Sequence, residues 1–206
     1  NTTKEADMAA RAAVRVFDLA TGAKLLDVHA DEVDVTADGR RLVVEGHRGA
    51  AIYDATTYAR LNHWDGPAIH VHPDPTGRFA LVVLQHDATP SYAFTPKQSF
   101  VQAIGSPRRL LQLREPGGLF TFSPSGALFG FAATVDVGWD VPSDAVSLYD
   151  LPPTAGDKPA RVVDLEDPTN DIRLLSEGIL ALQVEERDLV LRRLSDDYQQ
   201  IGRASC

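Results

Sequence analysis

Apolar and polar residues alternate with a period of two through most of this chain. The runs are short and end at Gly, Pro, Asp or Ser, which is the pattern of strands joined by tight turns. Val14-Arg15-Val16-Phe17 alternates and stops at Asp18, and a turn at Thr21-Gly22 leads into a second apolar run over 24–28. The next stretch predicts a strand over 32–36, a tight turn at Ala37-Asp38-Gly39 and a partner strand over 41–45. Ala50-Ala51-Ile52-Tyr53 follows, closed by Asp54, and then a strand over 58–63. No segment keeps a 3.6-residue period. Residues 3–13, rich in Ala, Glu, Lys and Arg, are the one helix-like piece, expected to be a linker or short helix within residues 1–13 and outside the sheets.

The strand pattern repeats. Ala37-Asp38-Gly39, Pro75-Thr76-Gly77 and Pro124-Ser125-Gly126 each stand between two apolar runs, and Glu177-Gly178 is a weaker fourth. Gly39, Gly77, Gly126 and Gly178 are 38, 49 and 52 residues apart. An aromatic residue followed by Asp closes a third strand at Phe17-Asp18, Tyr53-Asp54 and Tyr149-Asp150. Periods of about 40–50 residues that hold four strands each are those of stacked sheets, since one twisted four-stranded sheet cannot bury both of its faces alone.

The residues in these repeats carry a resemblance. Phe122-Ser123-Pro124-Ser125-Gly126-Ala127-Leu128 is similar to the F-S-P-D-G opening of WD40 and related bacterial propeller blades, and 35–42 is a second match. Val16-Phe17-Asp18 and Ile52-Tyr53-Asp54 resemble the W-D ending of the third strand, with Phe or Tyr for Trp. The G-H dipeptide that opens many blades is out of place here, because Gly46-His47 follows a second strand. The resemblance implies an all-β fold, a β-propeller of four-stranded antiparallel blades over 14–206. Its members would be a half blade at 14–28 and blades at 31–63, 67–114, 117–165 and 171–201, with the last one's strands at 172–175, 179–184, 189–194 and 198–201. That is about four and a half blades, and propellers close with four to eight. The expectation is therefore an incomplete propeller, a segment whose remaining blades come from the same or another chain. A β-sandwich is the alternative fold for closely spaced turn signals.

Composition narrows function more than fold. A formal charge of −9 lacks the basic footprint that phosphate binding needs, so no nucleic-acid partner is expected. No apolar run approaches a membrane span, and none is expected. The single cysteine, Cys206, excludes an internal disulfide framework and suits a reducing compartment, with the cytoplasm favoured. The 16 Arg against 4 Lys suggest GC-rich coding and a bacterial source.

Candidate chemistry is sparse. All six histidines fall between His29 and His86, and His70-Val71-His72 would point both imidazoles to one side of a strand. These two are weak candidates for a metal site, because no further ligand stands at a recognisable spacing; no metal or other cofactor is expected. No nucleophile motif or phosphate-binding glycine loop occurs, so the chain is not expected to be an enzyme. Two long links join second to third strands at 87–98 and 135–145, and they carry Tyr92, Phe94, Asp136, Trp139 and Asp140. Loops on a rigid scaffold concentrate function and aromatic anchors dominate interfaces. These five residues are the expected partner-binding set of a protein-interaction scaffold or sensor module. The alternative is the propeller part of an enzyme, with a redox or metal site at His70 and His72 or a gate for a separate catalytic domain.

Overall fold

A computed structural model describes residues 13–66, 69–85, 96–114, 117–133, 143–154, 156–184, 188–194 and 200–205. All regular structure among them is β. A two-stranded first layer, β1 (Val14–Phe17) and β2 (Lys24–Val28), precedes a four-stranded second layer of β3 (Glu32–Val35), β4 (Arg41–Gly46), β5 (Gly49–Asp54) and β6 (Arg60–Asp65). The third layer repeats it with β7 (Ile69–Pro73), β8 (Phe79–Gln85), β9 (Pro96–Ala103) and β10 (Arg109–Gln112). Then come β11 (Gly118–Phe122), β12 (Leu128–Ala133), β13 (Ser143–Asp150), β14 (Arg161–Ser176), β15 (Ile179–Val184), β16 (Asp188–Arg193) and β17 (Gln200–Ser205) in one seven-stranded sheet. Every strand pairs antiparallel with its sequence neighbour within its sheet. The described residues show no closed ring.

The seven-stranded sheet is two four-stranded layers that share β14. The N-terminal half of this strand pairs with β13 (Val146 with Val163, Leu148 with Arg161), and its C-terminal half pairs with β15 (Ile172 with Leu182, Leu174 with Leu180). Thr169 sits at the changeover and pairs with both Ser143 and Val184. Pro168, which has no N–H to give a ladder, stands just before it. The sequence pattern places separate strands in these two layers, with the later one starting near residue 172. The chain instead runs through without a break. The last strand also lies further on than 198–201, at Gln200–Ser205.

Three apolar clusters lie between successive layers. Val43, Ala50 and Ile52 of the second meet Ile69, Val71, Val82 and Phe100 of the third. Leu81, Val101 and Leu111 of the third meet Phe129, Phe131 and Tyr149 of the fourth. Val146, Leu148 and Val163 of the fourth meet Ile172, Leu180, Leu182 and Val190 of the fifth. Each fully buried Leu, Ile, Val or Phe contributes about 1.5–3 kcal/mol of transfer free energy, so each interface is a core in its own right.

Polar clamps fix how the layers sit. Asn62 donates to the Ser106 carbonyl (3.0 Å) and accepts from the Gly105 N–H (2.6 Å), tying β6 to the β9–β10 turn. The Trp64 indole donates to Gln102 at 3.2 Å. Asn62 and Gln102 are both buried, where an unpaired amide would cost about 1–3 kcal/mol.

The repeated turns share one buried frame. Thr36, Asp74 and Ser123 stand three residues before Gly39, Gly77 and Gly126, and each accepts from the amide five residues on. Those contacts are Arg41 to Thr36 at 3.0 Å, Phe79 to Asp74 at 2.6 Å and Leu128 to Ser123 at 3.0 Å. The three glycines have φ of 71°, 66° and 66°, the left-handed region that a side chain resists. Gly178 lacks this conformation, in keeping with a weaker turn signal. A Cβ on Gly126 would also run into the Asp74 carboxylate, because neighbouring turns abut. Arg78 donates to the Ser125 carbonyl (2.7 Å), and the Ser125 hydroxyl donates to the Glu177 carboxylate, which that bond holds below its usual pKa.

Candidate functional site

β3 is the one strand whose residues are all exposed, on both faces. Its acidic residues, Glu32 and Asp34, face the third layer. Its valines face the other way, toward the first layer. The register pairs Val33 with Val44 and Val35 with Leu42, so each pair shares a face. Val44 and Leu42 are 4% and 9% exposed, while Val33 and Val35 are 42% and 59% exposed. Cover on this face stops between β4 and β3.

On the acidic side, Glu32, Asp34, Val43, Glu45, His70, Val71 and His72 line a cleft of about 120 Å³. Glu45 organises it. One of its carboxylate oxygens accepts from the Val71 N–H at 2.6 Å and the other lies 3.0 Å from His70 Nδ1. β7 is an edge strand of its sheet, and the Glu45 carboxylate satisfies an edge N–H that would otherwise meet only water. Thr121 does the same for the fifth layer, accepting from the Leu174 N–H at 3.0 Å. His72 lies under Phe120 of β11, with ring centroids 4.6 Å apart. Burial, with the nearby His70 as a smaller cause, lowers its pKa, so neutral imidazole is favoured there, against a weak opposite pull from Asp34.

The structure thus engages the two histidines separately, His70 with Glu45 and His72 with Phe120. Among the described residues no group of three or more His, Cys, Asp or Glu is placed to hold a metal ion. His63 lies 3.3 Å from Asp65 on β6, away from this cleft's lining. Tyr92, Phe94, Asp136, Trp139 and Asp140 lie outside the described residues, as does His86. The segments that hold them connect β8 to β9 and β12 to β13, whereas the equivalent β4–β5 link is the two-residue turn His47-Arg48. Among the described residues no helix is long and apolar enough to cross a membrane. Sequence reasoning missed β3. The signal was available, since Glu32-Val33-Asp34-Val35 alternates strictly while the strand beside it, Leu42-Val43-Val44, is apolar on both faces.

No family model matches the chain, and no curated protein matches it. Among solved structures it is similar to a crystal structure of the eukaryotic initiation factor, with a TM-score of 0.59 at 14% identity. The likeness covers 86% of this chain and 44% of that one, so this chain spans less than half of that structure. At such identity the likeness concerns the fold alone.

Proposed function

We propose that this chain is a run of WD40-like β-propeller blades, about four and a half, that serves as a non-catalytic protein-interaction module within a larger protein or complex. The successive four-stranded meanders, the buried Thr/Asp/Ser-x-x-Gly turns and the cores between neighbouring layers support the blade reading. The two-sided exposure of β3 carries the interaction reading. A strand with carboxylates on one face and bare valines on the other presents both a charged and an apolar surface from a rigid frame, and exposed apolar surface beside a core marks association sites. The long links with Tyr92, Phe94, Asp136, Trp139 and Asp140 are a second contact surface, on the end where second strands turn into third strands.

Affinity capture with the purified chain, followed by cross-linking, tests this. Cross-links are expected at the β3 cleft or at the two long links. Asp34→Lys, or Trp139→Ala with Tyr92→Ala, is expected to reduce capture at least tenfold. Retention by both variants would exclude these surfaces. The alternative, the propeller part of an enzyme, draws on the carboxylate and imidazole groups around His70 and His72. Elemental analysis of the purified protein decides it, since stoichiometric metal lost in a His70→Ala/His72→Ala variant would favour the enzyme.

A further inference from the structure

We infer that the first layer is completed by an added β-hairpin, which pairs with the free edge of β1 and covers Val33 and Val35. The inference rests on the blade reading above and names what the apolar side of β3 receives.

The first layer has the outer half of a four-stranded layer, and its own turn shows which half. Asp18 accepts from the Ala20 N–H (3.0 Å), the Thr21 N–H (2.7 Å) and the Thr21 hydroxyl (2.8 Å). Asp54, between β5 and β6, accepts from the Thr56 N–H (3.0 Å), the Thr57 N–H (2.9 Å) and the Thr57 hydroxyl (3.1 Å). The backbone agrees: Gly22 donates to the Asp18 carbonyl as Tyr58 does to that of Asp54, and Asp18 and Asp54 donate to the carbonyls of Ala23 and Ala59. β1 and β2 are therefore the equivalents of β5 and β6. The missing pair is the equivalent of β3 and β4, and it belongs on the β1 edge, where β4 sits on β5.

The face it would cover is the one left bare. Counting back from the turn residues Thr36 and Asp74, Val33 is the equivalent of Val71. Val71 is 4% exposed because Val43 and Ile52 of the preceding layer pack on it. Val33 faces the preceding layer in the same way, and there the two strands β1 and β2 are too few to reach it. At about 4.8 Å between strands, a two-stranded layer covers about two strands of its neighbour. Residues 1–12 are too few for the role, since the β3–β4 hairpin itself runs from Glu32 to Gly46.

The occupant has a definable chemistry. The three inner hairpins here each carry a Thr, Asp or Ser three residues before a turn Gly, and a second strand that is apolar on both faces, as in Leu42-Val43-Val44 and Leu81-Val82-Val83. The incoming hairpin needs the same two features.

A synthetic peptide of residues 31–46, this protein's own inner hairpin, is the probe. It is titrated into the full chain, and backbone hydrogen exchange is followed. The expected result is at least tenfold slower exchange at 14–17 and 32–35, unchanged exchange at 179–184, and loss of the effect in Val33→Asp/Val35→Asp. A peptide with N-methylated residues along the pairing edge should not protect. No protection at 14–17 at millimolar peptide overturns the inference. So does protection that rises with the chain's own concentration without peptide, which would make a second copy the occupant. Failure here with capture retained through Trp139 would leave the interaction reading standing. Failure of both would remove it.

Discussion

β3 and β7 occupy the same place in consecutive layers and meet opposite fates. Both are innermost strands that end in the same buried turn frame. Yet β7 has Ile69 and Val71 at 4% exposure each, whereas β3 is exposed throughout. The edge of β7 is satisfied as well, by the carboxylate of Glu45 from the layer before. The difference does not lie in the strands' propensities, for valines dominate the apolar positions of both. It lies in the preceding layer, which has four strands for β7 and two for β3. In a stack of sheets, burial of a strand is decided by its neighbour's completeness rather than by its own sequence.

The sharpest break of that comparison is at the turns, where the two strands should still behave alike in kind. Asp74 is 1% exposed, and its carboxylate accepts from the N–H groups of Thr76, Arg78 and Phe79 and from the Thr76 hydroxyl. Asp74→Ala leaves several buried donors without a partner and is expected to cost about 3 kcal/mol or more. Thr36→Ala, which loses one accepted amide bond, should cost about 1 kcal/mol. Urea unfolding of both variants measures the difference, and equal losses would mean that the two turns are not held by the same frame.

Next in size is the contrast on the strands themselves. Val71→Ala removes two methyl groups from a packed core and should lose about 2 kcal/mol. Val33→Ala should change stability by less than about 0.5 kcal/mol in the isolated chain. If Val33→Ala costs as much as Val71→Ala, the face of β3 is already covered in solution.

How much of this could be read beforehand follows from the same physics. The turns at Gly39, Gly77 and Gly126 were legible because a left-handed glycine after a short polar residue is a local requirement. The alternating strands were legible because each buries two faces unequally. The merging of two layers through β14 was not, because a strand that changes partners at Thr169 differs locally from two strands only by a register shift. The separation of His70 from His72 was hidden too. Period-two spacing puts both on one side of a strand, but whether Glu45 or Phe120 meets each of them depends on layers 25 and more residues away.

The third contrast is electrostatic. His72 on β7 has Asp34 as its equivalent on β3, so only the later strand brings an imidazole into the interface with the next layer. The folded-state pKa of His72 lies below that of an unfolded histidine, so the unfolded chain binds the proton more readily. Stability from this group is then fully present above pH ~6.5 and is lost as pH falls from there toward the folded value. The neighbouring charged groups of the cleft, Glu32, Asp34, Glu45 and His70, are retained in the comparison. Thermal unfolding between pH 7.5 and 5.5 should show a falling Tm, and His72→Phe, which keeps a ring against Phe120, should flatten the slope. The carboxylates held low by their turns, Asp18, Asp38, Asp54 and Glu177, act below about pH 4 and do not enter that window. A slope unchanged in His72→Phe would assign the pH dependence to another group.

The smallest expected effect compares the two outer hairpins. The Asp18 and Asp54 turns match bond for bond, but the residue that must turn left-handed is Gly22 in one and Tyr58 in the other. Tyr58 has φ of 57° and is the one non-glycine residue with positive φ among those described. A side chain in that region costs about 1–2 kcal/mol, and glycine gives some of this back as extra freedom in the unfolded chain. Tyr58→Gly should therefore stabilise the protein by up to about 1 kcal/mol, and Gly22→Ala should destabilise it by a similar amount, both read from urea midpoints at constant slope. If Tyr58→Gly loses stability instead, the ring contributes more by packing than its backbone costs. The second layer's outer hairpin would then be held by its side chains, where the first layer's is held by its turn alone.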